Sequence, residues 1–193
     1  MFNRLFKTTA FSALMALMVS PASASDLAPY WSSEHWDVQK DVESKTCSLW
    51  RTFEKKATGE THTFNVTYSA VDKRVNVVFV DPDTTSLPDE GEVKLKVIFF
   101  ASGSSEVDDG WGERTFKYSK LEQGHIFISA YTGLDNVRDM LSDLSKSKSI
   151  GFFTDRDVIV TAFPLDESTP AIAQMKRCSF AIAGLRSDDP FLQ

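Results

Sequence analysis

The chain is expected to fold as an α+β protein: a mainly antiparallel, sandwich-like β-sheet with two helices in the C-terminal third. Three observations predict this. From Trp36 to about Ala130, apolar and polar residues alternate in short runs separated by polar turns. After Thr132, helical spacing of apolar residues appears twice, with two further short strands between. The only two cysteines, Cys47 and Cys178, lie towards opposite ends of this region, where a bridge would tie them together. A length of 193 residues with 42% hydrophobic content suits one packed domain. It excludes a low-complexity chain, a disulfide-dense miniprotein and a multi-span membrane protein.

Residues 1–24 read as a secretory leader rather than as part of the fold. Arg4 and Lys7 give a positive start, an apolar stretch runs from Ala10 to Val19, and Pro21 leads to Ala22-Ser23-Ala24. The apolar run is about half of the ~20 residues a membrane-spanning helix needs. Cleavage after Ala24 makes Ser25 the first mature residue and places the protein in the periplasm or outside the cell. Removing Arg4 and Lys7 leaves 19 basic residues against 27 acidic ones, a net charge of −8. Such a surface is repelled by phosphates, which argues against a nucleic-acid partner and leaves a protein or glycan partner, with a basic one suited to the charge.

The strands follow in order. His35–Gln39 opens with an aromatic residue and a valine, and Thr46–Phe53 puts Cys47, Leu49 and Phe53 on one face. His62, Phe64, Val66 and Tyr68 alternate with Thr63, Asn65, Thr67 and Ser69, the cleanest two-residue period in the chain. After a turn at Asp72-Lys73-Arg74, Val75–Val80 is nearly all apolar, as for a strand covered on both faces. Val93, Leu95, Val97 and Phe99 form the next run, followed by Arg114–Tyr118 and His125–Ala130. Short polar turns make antiparallel pairing of consecutive strands the economical topology.

A capping box at Thr132-Gly133-Leu134-Asp135 predicts a helix start, with Leu134, Val137, Leu141 and Leu144 on one stripe. Strands at Ile150–Thr154 and Val158–Phe163 flank the turn Asp155-Arg156-Asp157. A second helix is expected with Thr169 as cap, Pro170 in the first turn and Gly184 as its stop. Ile172, Met175, Cys178 and Ile182 share its inner face, so a disulfide from Cys178 to Cys47 is sensible in a translocated chain. Residues 25–185 thus read as a single domain and 186–193 as a disordered tail.

Several groups are candidates for function. Asp81, Asp83, Asp89 and Glu92, with Thr85, occupy positions of a calcium-loop register, but Ser86 stands where that loop needs glycine and Pro88 stiffens the stretch. A polar hairpin connection is the plainer reading, with a weak calcium site as the sharper one. Asp108, Asp109, Trp111 and Glu113 form an acidic loop with one large aromatic, suited to stacking a sugar or docking a partner, unless the indole folds back on the sheet. Tyr30, Trp31 and Trp36 read as closing one end of the core. His35, His62 and His125 show no metal-binding spacing, which leaves only a zinc site assembled from distant strands. Asp135, Asp139 and Asp143 line up as an acidic ridge on the first helix. No nucleophile elbow, phosphate loop or dinucleotide loop is present, so no residue is selected as catalytic and no cofactor is implied.

The segment Val160-Thr161-Ala162-Phe163-Pro164-Leu165-Asp166-Glu167-Ser168, followed by Ala171, Ala173 and Cys178, resembles the closing segment of small exported bacterial proteins of the invasion-associated locus B type. The likeness covers this segment and the leader–strands–helix layout, and carries over no functional residues. It implies a non-enzymatic, β-rich protein linked to host interaction or to the envelope. The expected function is therefore an exported, non-catalytic binding or envelope-associated protein. An acidic inhibitor of a basic enzyme and a hydrolase with an assembled site are the alternatives.

Overall fold

The computed structural model describes residues 27–54, 59–101, 110–122 and 124–185. The leader at 1–24, the acids Asp108 and Asp109 and the tail at 186–193 lie outside the described residues. Ten strands run β1 (Ala28–Ser32), β2 (Asp37–Asp41), β3 (Thr46–Glu54), β4 (Thr61–Ser69), β5 (Arg74–Asp81), β6 (Glu90–Phe100), β7 (Glu113–Lys120), β8 (His125–Thr132), β9 (Ser149–Phe153) and β10 (Ile159–Pro164). Helix α1 (Leu134–Lys146) precedes β9, and α2 (Ser168–Ala183) follows β10. This is the expected α+β class, and every strand pair is antiparallel.

The strand order is β1-β2-β3-β4-β5-β8-β7-β6-β9-β10. The sheet folds over so that its two halves share one aromatic core. Phe79 of β5 lies 4.6 Å from Phe127 of β8 and 4.4 Å from Phe152 of β9, ring centre to ring centre. Phe64 of β4 stacks on Phe163 of β10 at 5.2 Å, although the two strands are far apart in the sheet. Each such pair contributes roughly 0.5–1.5 kcal/mol beyond the area it buries. The inward side chains are those the two-residue alternation marks: Cys47 and Leu49, then Phe64, Val66 and Tyr68, then Val75, Val77 and Phe79.

Four expectations need correction. Asp81–Glu92 is not a hairpin connection, because β5 and β6 do not pair. The chain leaving β5 crosses the ends of β8 and β7 before entering β6, so this segment caps one end of the sandwich. The residues of β5 facing away from the core are half-buried or exposed, so that face is only partly covered. The capping box does not form: Thr132 is the last residue of β8, and Gly133 (φ 87°) caps α1 without a side-chain bond. Thr169 does not cap α2 either. Its hydroxyl and that of Ser168 donate to the carbonyls of Ser145 and Leu144, which lashes the start of α2 to the end of α1.

Gly184 does end α2, in the left-handed conformation, with Leu185 N–H returning to the Phe180 carbonyl at 3.1 Å. Cys47 on β3 and Cys178 on α2 form the expected disulfide, Cα to Cα 6.0 Å. The buried Ser179 hydroxyl donates to the Tyr68 carbonyl and accepts from Ala70 N–H, fixing α2 to the end of β4. Trp36 is buried, as expected, and its indole N–H donates to the Asp166 carbonyl at 2.7 Å. Among the described residues, no helix is long and apolar enough to cross a membrane.

Candidate functional site

Two places in the fold gather polar chemistry, one at each end of β8. At the end nearer Thr132, Trp111 N–H donates to the Val97 carbonyl (2.9 Å) and Val97 N–H to the Gly112 carbonyl (3.2 Å), so the approach to β7 continues along β6. The backbones come so close that a Cβ on Gly110 would meet the Val97 carbonyl oxygen at 2.4 Å. The indole N–H of Trp111 donates to Asp143 Oδ2 of α1 at 2.9 Å, and the ring meets Tyr131 edge-on at 5.3 Å. Trp111 is therefore half-buried and fixed, folded back on the sheet. The acidic ridge of α1 is largely engaged too: Asp143 holds the indole, and Arg138 bridges Asp135 and Asp139.

Arg114 completes this end. Its guanidinium lies 5.7 Å from the centres of both the Trp111 and Tyr131 rings, and it makes no ion pair among the described residues. Among the described residues, its Nε and the Tyr131 hydroxyl are buried without a hydrogen-bond partner. Burial pushes the Tyr131 phenol up to about 12, against the opposing influence of the Arg114 charge and the nearby Ser129 hydroxyl. Ser129 itself donates its hydroxyl proton to the Thr115 carbonyl at 3.0 Å. Glu113 is exposed on the opposite face of β7, 3.9 Å from Lys94. Trp111 and Glu113 therefore do not converge on one concave surface.

At the other end of β8 the acidic segment is divided. Asp89 pairs with Lys120 at 2.8 Å, a contact that holds its carboxyl below the usual range, and Glu92 lies 4.0 Å from Lys117. Asp81 and Asp83 go elsewhere. The β4–β5 register pairs Thr63 with Val80, so the next step sets His62 beside Asp81. Both continue the inward-facing alternation of their strands, which places an imidazole and a carboxylate at the rim of the core. His62 Nδ1 and Asp81 Oδ1 are 3.7 Å apart, with side-chain exposures of 14% and 1%. Asp81 Oδ1 also accepts Asp83 N–H at 2.9 Å, which brings the second carboxylate round. One donor atom each from His62, Asp81 and Asp83 lies within 4.8 Å of the other two.

His125, opposite Asp81 on β8, supports this arrangement from behind. It is 0% exposed, and its Nε2–H donates to the Pro88 carbonyl at 2.8 Å, since a carbonyl can only accept. Thr84 bridges its Nδ1 (3.3 Å) and the Asp81 carbonyl (2.8 Å). The ring is thus committed to pinning the crossing segment and is no solvent-facing base. In front of His62 and Asp83 lies a groove of about 300 Å³ lined also by Phe53, Glu54, Thr161 and Phe163.

Arg114 escaped the sequence reading as a site residue, and His62 entered it only as one of three histidines that a zinc site assembled from distant strands could use. The signal for His62 was its place on the inward parity of a strand otherwise apolar on that side. Arg114 carried a similar one, on the same parity as Phe116 and Tyr118. Comparison with known proteins returns no match: no family model fits the chain, and no curated protein or solved structure is matched by it.

Proposed function

We propose that the chain is an exported, non-catalytic binding protein, secreted or associated with the envelope, which presents Trp111 to a protein or glycan partner. The observation that carries this reading is the clamp on Trp111. Although the ring folds back on the sheet, it stays partly exposed, and it is held by Asp143, Tyr131 and the neighbouring β6 backbone. A large aromatic fixed before contact loses little freedom when a partner stacks on it, which is how rigid anchors gain affinity. Export is supported by the leader sequence, by the resemblance of the closing segment to exported locus B-type proteins, and by the disulfide, which is characteristic of oxidising compartments. The non-catalytic reading is supported by both thiols being bridged and His125 being committed to the loop.

The test is affinity capture from an envelope extract with the tagged mature chain, followed by mass spectrometry and repetition with the purified partner. Trp111→Ala should weaken capture at least tenfold, whereas Trp111→Phe, which keeps a ring, should retain most of it. Because the ring packs on Tyr131, the alanine variant should also lose about 2 kcal/mol of stability, less than the roughly 3–5 kcal/mol typical of a fully buried aromatic. Capture by folded Trp111→Ala equal to wild type would remove this surface from the function.

A further inference from the structure

We infer that His62, Asp81 and Asp83 form a binding site for a divalent transition-metal cation, with Zn²⁺ the best-matched probe. The site is independent of the Trp111 reading: β8 separates the two ends, and the six steps from His125 to Tyr131 span about 20 Å. Donor type sets the class of ion. A calcium loop uses oxygen ligands alone, six to eight of them, whereas one imidazole nitrogen with two carboxylates suits zinc and its neighbours. The structure replaces the calcium-like register by this mixed set, since Asp89 and Glu92 turn to Lys120 and Lys117.

The geometry is close to what such an ion requires. Ligand bonds of about 2.0–2.2 Å in a tetrahedron put donor atoms roughly 3.4 Å apart. His62 Nδ1 and Asp81 Oδ1 already stand at 3.7 Å, and all three donors lie within 4.8 Å. A contraction of at most about 1.4 Å is therefore enough to bring the three donors to that spacing. The surrounding contacts orient the ligands: the Asp83 amide fixes the Asp81 carboxylate, and His125 with Thr84 fixes the backbone that carries both acids. The cation's remaining coordination positions face the groove in front of His62 and Asp83, so it would be reachable by solvent or by a small ligand.

The experiment is calorimetric titration of the oxidised mature protein with Zn²⁺ alone, alongside the visible spectrum of the Co²⁺-loaded form. One saturable site per chain is expected, with a Co²⁺ spectrum indicating nitrogen and oxygen ligation. His62→Gln and Asp83→Asn should each weaken Zn²⁺ at least tenfold, His62→Gln should abolish the spectrum, and His35→Gln should change neither. Both tested side chains lie at the surface or rim, and circular dichroism checks each fold; if one variant fails to fold, the other decides. Absence of a one-to-one site, or Zn²⁺ binding by folded variants equal to wild type, would overturn the proposal. So would binding confined to Ca²⁺ that survives His62→Gln, since that belongs to oxygen ligands alone.

Discussion

The Tyr131 phenol is 3% exposed and has no hydrogen-bond partner among the described residues, so its hydroxyl is a cost that the surrounding packing carries. Tyr131→Phe should therefore be neutral or stabilising by up to about 1 kcal/mol at pH 7. The pH dependence follows from the raised ionisation, from an ordinary 10 to about 12. Below pH 10 the phenol is neutral in both folded and unfolded chains. Between pH 10 and 12 only the unfolded chain loses the proton, so stability falls as pH rises, by roughly 2–3 kcal/mol once both have titrated. Urea unfolding of wild type and Tyr131→Phe at pH 8, 10 and 11.5 checks this, and the variant should show the shallower alkaline decline. At this scale the sequence revealed parity but not partners. The alternation that runs through Phe64, Val66 and Tyr68 already turned His62 inward. What sets it beside Asp81 is the β4–β5 register, fixed by the intervening turn and invisible in the composition of either strand.

Elements are governed by their ends, and several ends here are set by tertiary contacts rather than by local signals. Thr132 is drawn into β8, pairing with Arg74, so its hydroxyl is not available to cap α1; its carbonyl instead accepts from the Asn136 side chain. Ser168 and Thr169 serve the α1–α2 junction in the same way. The segment between β5 and β6 depends on Gly124, whose φ is +77° and whose Cβ position would lie 2.1 Å from the Asp81 carbonyl oxygen. Gly133 shares a positive φ, +87°, but has nothing within 4 Å. The two therefore separate backbone strain from collision. Gly133→Ala should cost about 2 kcal/mol, the cost of placing a side chain in this positive-φ, extended-ψ backbone alone (φ 87°, ψ 144°). Gly124→Ala adds a clash with unyielding backbone and should cost about 3 kcal/mol or more, displacing Asp81 and weakening Zn²⁺ as well. Chemical denaturation of both variants, with the titration repeated on Gly124→Ala, measures the difference.

At the scale of the whole molecule, the strands from Asp37 onward and both helices were legible because periodicity is written locally. Strand order was not. Consecutive pairing predicts β6 beside β5, but the unit β6–β7–β8 swings over so that Phe127 of β8 stacks on Phe79. That outcome depends on how aromatic rings from distant segments fit together, which no short window of sequence encodes. β1 escaped notice as a short edge strand that contains Pro29. The long-range link that could be read was the cysteine pair, and it gives the strongest whole-molecule prediction. The bridge joins β3 to α2 across 131 positions, enclosing most of the described fold. On the loop-entropy account, closing so long a loop stabilises the folded chain by about 5 kcal/mol, an upper figure because the unfolded chain retains structure. Cys47→Ala with Cys178→Ala should then lower Tm by roughly 10–20 °C, at some 2–4 °C per kcal/mol for a domain of this size. Both sulfurs are fully buried, so alkylation of the native wild-type protein should label neither, while reduction in denaturant should expose both. A double-alanine variant that melts with the wild type would mean that the aromatic core alone holds the two halves together.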